Sequence, residues 1–163
     1  MHIEDIKISH RPGRHGDEEA ICRLWQQLFD FHAELDPIFT PSKDGREHYW
    51  QWVKYHLNDS DSIVMVSEVD GFVAAYCLAQ VKSLPPILQF KRIGIISDMA
   101  VDQKIRNRRI GRELYQRVEK ELKKRQVSRI ELKTSTLNPL SNYFWEKVCG
   151  FEEFVKIRYK EIR

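Results

Sequence analysis

No stretch of this sequence stays apolar for anything near the roughly 18 residues a membrane-spanning helix needs. Its first ten residues, MHIEDIKISH, hold no signal-peptide core. Cysteine is scarce. The three present, Cys22, Cys77 and Cys149, are odd in number and widely spaced among apolar neighbours. That excludes a disulfide framework and reads as buried free thiols in a reducing compartment, so a cytoplasmic protein is expected. Internal repeats, linkers and low-complexity tracts are missing, and the 163 residues are expected to form a single domain, 1–163, with a real hydrophobic core. A strong charge of one sign is lacking too. The net charge of +3 and the pI near 8.7 permit an anionic ligand without demanding a nucleic acid. No metal site is expected.

What is present is a run of alternating textures. IKISHRP reads as a short strand ending at Pro12. From Asp17, read as an N-cap with Glu18 and Glu19 in the first turn, Ile21, Leu24, Trp25, Leu28, Phe31 and Leu35 keep helical spacing until Asp36 and Pro37 stop it. REHYWQWVKYHL predicts a second amphipathic helix. SIVMVSEV, the turn at Asp70 and Gly71, and FVAAYCLAQV predict a hairpin, and FKRIGIISDMAV a third long strand. Helical period returns from Ile110 through Leu114, Val118 and Leu122. RIELKTST reads as a strand, PLSNYFWEKV as a short helix with Pro139 near its first turn, and EEFVKIRYKEI as a closing strand. The order β-α-α-β-β-β-α-β-α-β predicts an α/β (α+β) protein with a mixed, largely antiparallel sheet flanked by helices. The strand–helix–strand unit over about 90–136 should be a parallel crossover.

One segment carries chemistry. RNRRIG, residues 106–111, lies between a predicted strand and a predicted helix. Helix N-termini offer unpaired N–H groups and positive dipole, so this junction is a place to hold phosphate, and Gly111 lets a ligand approach where a Cβ would intrude. The spacing is neither a nucleotide P-loop nor a three-glycine dinucleotide fingerprint. Read locally, a solvated basic helix start stays open beside the phosphate cradle.

In wider context the segment ISDMAVDQKIRNRRIGREL resembles the acetyl-CoA signature of the GNAT N-acetyltransferase superfamily, R/Q-x-x-G-x-G/A after a strand. NPLSNYFWEKVCGF, residues 138–151, is similar to the same family's downstream N-x-x-A-x-x-[F/L]-Y-E-K-x-G-F stretch, and the element order matches over nearly the whole chain. Three departures stand out. Arg109 replaces the first loop glycine, Trp145 stands where the family has a tyrosine acid, and one extra residue separates Lys147 from Gly150.

The resemblance implies acetyl-CoA as cosubstrate, with its pyrophosphate on the amides of Arg106, Asn107, Arg108, Arg109, Ile110, Gly111 and Arg112. It implies a pantetheine arm paired strand-like with Met99 and Val101, Ala100 lying between them, and a backbone N–H near Met99 polarising the thioester carbonyl. Asn138 would hydrogen-bond the pantetheine side, the Ser141–Trp145 helix would flank it, and Arg108 or Arg109 would reach the 3′-phosphate.

Acyl transfer needs a neutral amine, hence a base or a water chain to one. Asp98 is the first candidate, with the alternative that it caps a loop or pairs with an arginine. His32 and Glu34, at the end of the first helix, come next, because that helix walls the acceptor pocket in the family and a histidine has a suitable pKa. Tyr143 is the candidate acid, although it lies about 200° round a helix from Trp145. A thiolate also leaves well enough unaided. Asp30, Glu34 and Asp36 suggest a cationic acceptor such as a polyamine, an amino sugar or a lysine side chain.

The expected activity is acetyl transfer to a primary amine of a small molecule or peptide. The alternative is a non-catalytic acyl-CoA-binding or sensory module on the same fold. Nucleic acid is not an expected partner, because Glu113, Glu119 and Glu121 balance the basic helix, and neither is a membrane. A sheet ending in one short strand leaves an edge that a second subunit could cover, so a homodimer is one expected arrangement.

Overall fold

Strand-forming sequence in the middle of the chain meets helix-forming sequence on either side, and the two sort into layers. In a computed structural model describing residues 6–106 and 109–162, the elements are β1 (Ile8–Pro12), α1 (Glu18–Leu35), α2 (Gly45–Leu57), β2 (Ser62–Val69), β3 (Phe72–Ser83), β4 (Arg92–Val101), α3 (Ile110–Lys124), β5 (Ile130–Leu132) and α4 (Pro139–Tyr143). They fall into two compact units, one reaching to Lys133 and the other running from Thr134.

The first unit holds a five-stranded sheet in the order β1-β2-β3-β4-β5, antiparallel except for the parallel β4–β5 pair. Asp70 (φ 50°) and Gly71 (φ 85°) both take positive φ, as a two-residue hairpin turn of the twist-compatible kind requires. β2 is buried along six consecutive residues because both faces are covered. Ile21, Leu24, Trp25, Tyr49 and Val53 of α1 and α2 pack with Val64, Val66, Tyr76, Leu78 and Ala100 on one face. Strand alternation sends Ile63, Met65, Cys77 and Ala79 to the other. There α3 buries Ile110, Leu114, Tyr115, Val118 and Leu122.

Several local expectations are corrected. Asp17 occupies the N-cap position of α1 without capping it. Its carboxylate instead takes both arms of Arg11 at 2.8 Å and the Arg14 amide at 2.9 Å, since a bidentate charged pair outcompetes a lone amide. Cys22 and Cys77 are buried free thiols as read, whereas Cys149 is only partly buried. The strand expected over RIELKTST shrinks to Ile130–Leu132.

In the second unit Asn138 caps α4 by accepting from the Ser141 amide at 3.1 Å. The helix then widens into a π turn, Phe144–Val148, with Cys149 N–H bonded to Phe144 O at 3.0 Å. That turn absorbs the extra residue before Gly150, as inserted residues in helices commonly are. The alternating segment after it forms no ladder among the described residues. Alternation states which faces a strand would have, but not the neighbour whose polar groups complete it.

Candidate functional site

β4 does three things in succession. At its start it pairs with β5, Gly94 opposite Ile130, Ile95 opposite Glu131 and Ile96 opposite Leu132, and there β5 ends. Ser97 is then an extra residue against β3, where Leu78 pairs with Asp98 but Ala79 pairs with Ile96. Such a bulge bends a strand and re-aims its side chains. Beyond it β4 continues to Val101 with β3 on one side and no β5 on the other.

The free edge can be read residue by residue. Asp102 N–H bonds to Ala74 O at 2.8 Å, so by alternation the polar groups of Ala100 face β3 and those of Met99 and Val101 face the open side. Val101 O accepts the Arg106 Nε–H at 3.3 Å. The edge at Met99 has no ladder neighbour among the described residues. A peptide-like arm could extend the sheet here.

The chain next passes through a short 3-10 turn, Gln103–Ile105, tied to α1 by the Arg23–Asp102 ion pair and by Gln103 N–H donating to Gln27 Oε1 at 3.2 Å. Asn107 and Arg108 lie outside the described residues. Arg109 precedes α3 with φ 62° and ψ 0°, the left-handed region that favours glycine, the residue the resembled signature has here. Its carbonyl accepts the first helical bond, from Glu113 N–H at 3.0 Å. The amides of Ile110, Gly111 and Arg112 therefore have no acceptor within the helix. Gly111 itself has no positive φ, so its contribution is a missing Cβ and not backbone freedom. Open amides at a helix N-terminus, close in sequence to an open strand edge, suit an anion joined to an amide-rich arm.

On the α1/α2 face of β4 sits Asp98. Among the described residues neither sequence alternative for it, a loop cap or an arginine partner, is found. Its Oδ2 lies 3.0 Å from the Tyr49 hydroxyl, and that hydroxyl lies 2.8 Å from the Tyr76 hydroxyl. Burial pushes the Asp98 carboxyl up to about 6, against the lowering effect of Tyr49. The tyrosines Tyr49 and Tyr76 were missed at the sequence level, where both look like ordinary core aromatics. The only available signal was that a tyrosine buried this deeply needs a polar partner. Trp25, stacked on Tyr49 with ring centres 4.8 Å apart, has the one buried side-chain donor without a partner among the described residues.

The remaining acid–base candidates are less concentrated. His32 donates from Nδ1 to Leu28 O at 2.8 Å, which leaves Nε2 as the basic nitrogen, and its ring meets Phe31 and Phe39 edge-on. Glu34 is exposed and, two residues along the same helix, points about 200° away. Asp30 accepts from Gln26 at 2.6 Å, and Asp36 caps the next turn through Ile38 N–H at 3.0 Å. Two of the three acidic residues, Asp30 and Asp36, thus engage local partners. In the second unit Trp145 is buried edge-on against Phe144 and Phe151, while Tyr143 is 65 % exposed.

Among the described residues no group of three or more His, Cys, Asp or Glu is placed to hold a metal, and no helix is long and apolar enough to cross a membrane.

The profile of the acetyltransferase (GNAT) family matches residues 25–151. No curated protein matches the sequence. Among solved structures, a mutant form of a Bacillus halodurans protein superposes with a TM-score of 0.82 at 21% identity, covering 94% of this chain and 99% of that one. An aminoglycoside N-acetyltransferase, AAC(6')-Iy, in complex with CoA, gives 0.77 at 15% identity over 100% and 99%. A predicted acetyltransferase with acetyl-CoA from Clostridium acetobutylicum gives 0.75 at 20% identity over 95% and 96%.

Proposed function

Given that the chain belongs to the acetyltransferase (GNAT) family, we propose that it transfers the acetyl group of acetyl-CoA to a primary amine of a small molecule or peptide, with Asp98 as base. One observation carries this reading. β5 ends opposite Ile96 and leaves the Met99 edge without a ladder neighbour among the described residues, just ahead in sequence of the amides of Ile110, Gly111 and Arg112, which have no acceptor within the helix, with Asp98 on the same stretch of β4. The residues fit the cosubstrate. The amides would take the pyrophosphate, with Arg106, Arg109 and Arg112 as auxiliary charge. The Met99 edge would take the pantetheine amides and offer an N–H to the thioester carbonyl. Asn138, Ser141 and Trp145 stay as proposed contacts from the second unit, with Asn138 already using its carbonyl oxygen as a helix cap.

Acetyl-CoA supplies an acyl carbon activated by sulfur. The protein must supply an amine with a free lone pair. A carboxyl at about 6 is ionised at neutral pH yet basic enough to take a proton in transit, which is the balance general-base catalysis needs. As the amine nitrogen bonds to the acyl carbon, its proton passes to Asp98 and the C–S bond breaks, the sulfur leaving with the electron pair. A thiolate needs no obligatory acid to leave, which fits an exposed Tyr143. His32, through Nε2, and Glu34 are secondary base candidates at the α1 end. Free thiols fit a cytoplasmic setting, and we take any partner subunit to be a second copy of the chain.

Saturating acetyl-CoA should raise the melting temperature, since a ligand at 100 times its Kd adds about 2.7 kcal/mol. A panel of polyamines, aminoglycosides, amino acids and peptides, scored by thiol release, should reveal an acceptor whose turnover Asp98→Asn abolishes. Flat melting curves with acetyl-CoA and CoA overturn the reading. Stabilisation by CoA without thiol release from any amine favours the non-catalytic acyl-CoA-binding module instead, the alternative that Trp145 at the tyrosine position supports.

A further inference from the structure

Among the described residues no cation is paired with Asp98, yet its carboxylate is not left to itself. Tyr49 comes from α2, where it is 8 % exposed, and its ring is stacked on Trp25 of α1 with centroids 4.8 Å apart and tilted against Trp52 of its own helix at 5.6 Å. A buried, stacked ring has little room to swing its hydroxyl away. Tyr76 rises from β3, fully buried, and the partner its hydroxyl has is Tyr49.

Counting protons fixes the direction of the chain. Each tyrosine has one hydroxyl proton, and an ionised carboxylate can only accept. Tyr49 therefore donates to Asp98 Oδ2, and with its one proton committed it must accept from Tyr76. Both dipoles point the same way, toward the carboxylate, and hydrogen bonds arranged in series strengthen one another. With Oδ2 engaged, Oδ1 is the oxygen left with free lone pairs. The bulge at Ser97 puts Asp98 on the face where this chain of hydroxyls ends.

We propose that Tyr49 is the positioning residue of Asp98, its hydroxyl backed by that of Tyr76 so that one carboxylate oxygen is held and the other is presented to the acceptor amine. The inference rests on Asp98 being the base. It also makes α2, which packs on the same face of the sheet as α1, a part of the base's own support.

Among the described residues the side chain that acts on the Asp98 carboxyl is Tyr49 from α2, while Asp98 in turn acts on Tyr76 and Cys77 of β3 and Cys22 of α1 acts on Tyr76. All four are neutral at physiological pH, because burial raises Tyr49, Tyr76, Cys22 and Cys77 alike. The Tyr49 hydroxyl is then the group that favours the ionised carboxylate against burial. Without it the carboxylate should hold its proton to higher pH.

The test is the titration of the Asp98 carboxyl by 13C NMR in labelled protein, the signal assigned by its loss in Asp98→Asn. Tyr49→Phe keeps the stacked ring and should move the midpoint up by about one pH unit. Tyr76→Phe, acting only through Tyr49, should move it the same way by less. With any amine that turns over, the acid limb of the kcat/KM profile should follow both shifts. A folded Tyr49→Phe protein with an unmoved midpoint and limb overturns the proposal, as does a larger shift in Tyr76→Phe. Full activity in Asp98→Asn would overturn the base assignment instead, and the two failures are read from different variants.

Discussion

A largely buried carboxyl beside a hydroxyl, with no cation paired to it among the described residues, is a cost that the fold carries. The Asp98 carboxyl is raised to about 6 from an ordinary 3.8, by burial first and against the Tyr49 bond. Below about pH 4 the group is protonated in folded and unfolded chains alike, and nothing is lost. Between about 4 and 6 the unfolded chain releases its proton while the folded one retains it, so the penalty grows with pH and is complete above about 6. Asp98→Asn should therefore stabilise the protein by up to about 3 kcal/mol at pH 7–8, a gain that shrinks to nothing toward pH 4 in urea melts. A pH-independent change would deny the burial cost. Arg109 is a second residue-scale compromise. Its left-handed backbone costs an L-residue about 1–2 kcal/mol, yet glycine there would give back about 0.5–1 kcal/mol in backbone entropy. The departure from the signature glycine is thus tolerable, and the amides of Ile110, Gly111 and Arg112 stay without a helical acceptor despite it.

At the scale of elements the decisive event is that β5 stops while β4 runs on. Close packing of α3 on β4 holds this arrangement. A Cβ on Gly94 would come within 2.9 Å of Leu122 Cδ1 and 3.2 Å of Val127 Cγ1. Leu122 is fully buried and has little room to retreat. Gly94→Ala should cost about 1–2 kcal/mol by overpacking, measured by chemical denaturation. An unchanged midpoint would mean that α3 rides more loosely on the sheet than its buried face implies. The π turn at Phe144–Val148 belongs to this scale as well. EKVCGF displays an inserted residue to anyone counting, but counting cannot say whether a loop shifts or a helix widens. The backbone bond from Cys149 to Phe144 O decides it.

At the scale of the molecule, the C-terminal segment is the unfinished part. Val155, Ile157, Tyr159 and Ile162 are between 65 and 95 % exposed on a segment that forms no ladder among the described residues, and such segments recruit strand partners. Self-association that rises with concentration is the expected behaviour. The double variant Ile157→Lys, Tyr159→Lys should weaken it in sedimentation velocity, and a wild-type protein that stays monomeric at high concentration would dismiss it.

The sequence by itself determined the helices α1, α2 and α3 and the long strands β2, β3 and β4, because their periods of 3.6 and 2 are written into the spacing of apolar residues. It also determined the candidate cosubstrate loop, because the phosphate-binding device is a local one, a strand, a turn and a helix start. What only the tertiary structure decided is non-local. The last β5 pair falls at Ile96, just before a bulge in β4 that no pattern marks. The meeting of Tyr49, Tyr76 and Asp98 joins residues 49, 76 and 98 across a helix and two strands. Burial then turns an ordinary aspartate into one that titrates near 6, and burial is a property of what surrounds a residue, which spacing along the chain does not contain.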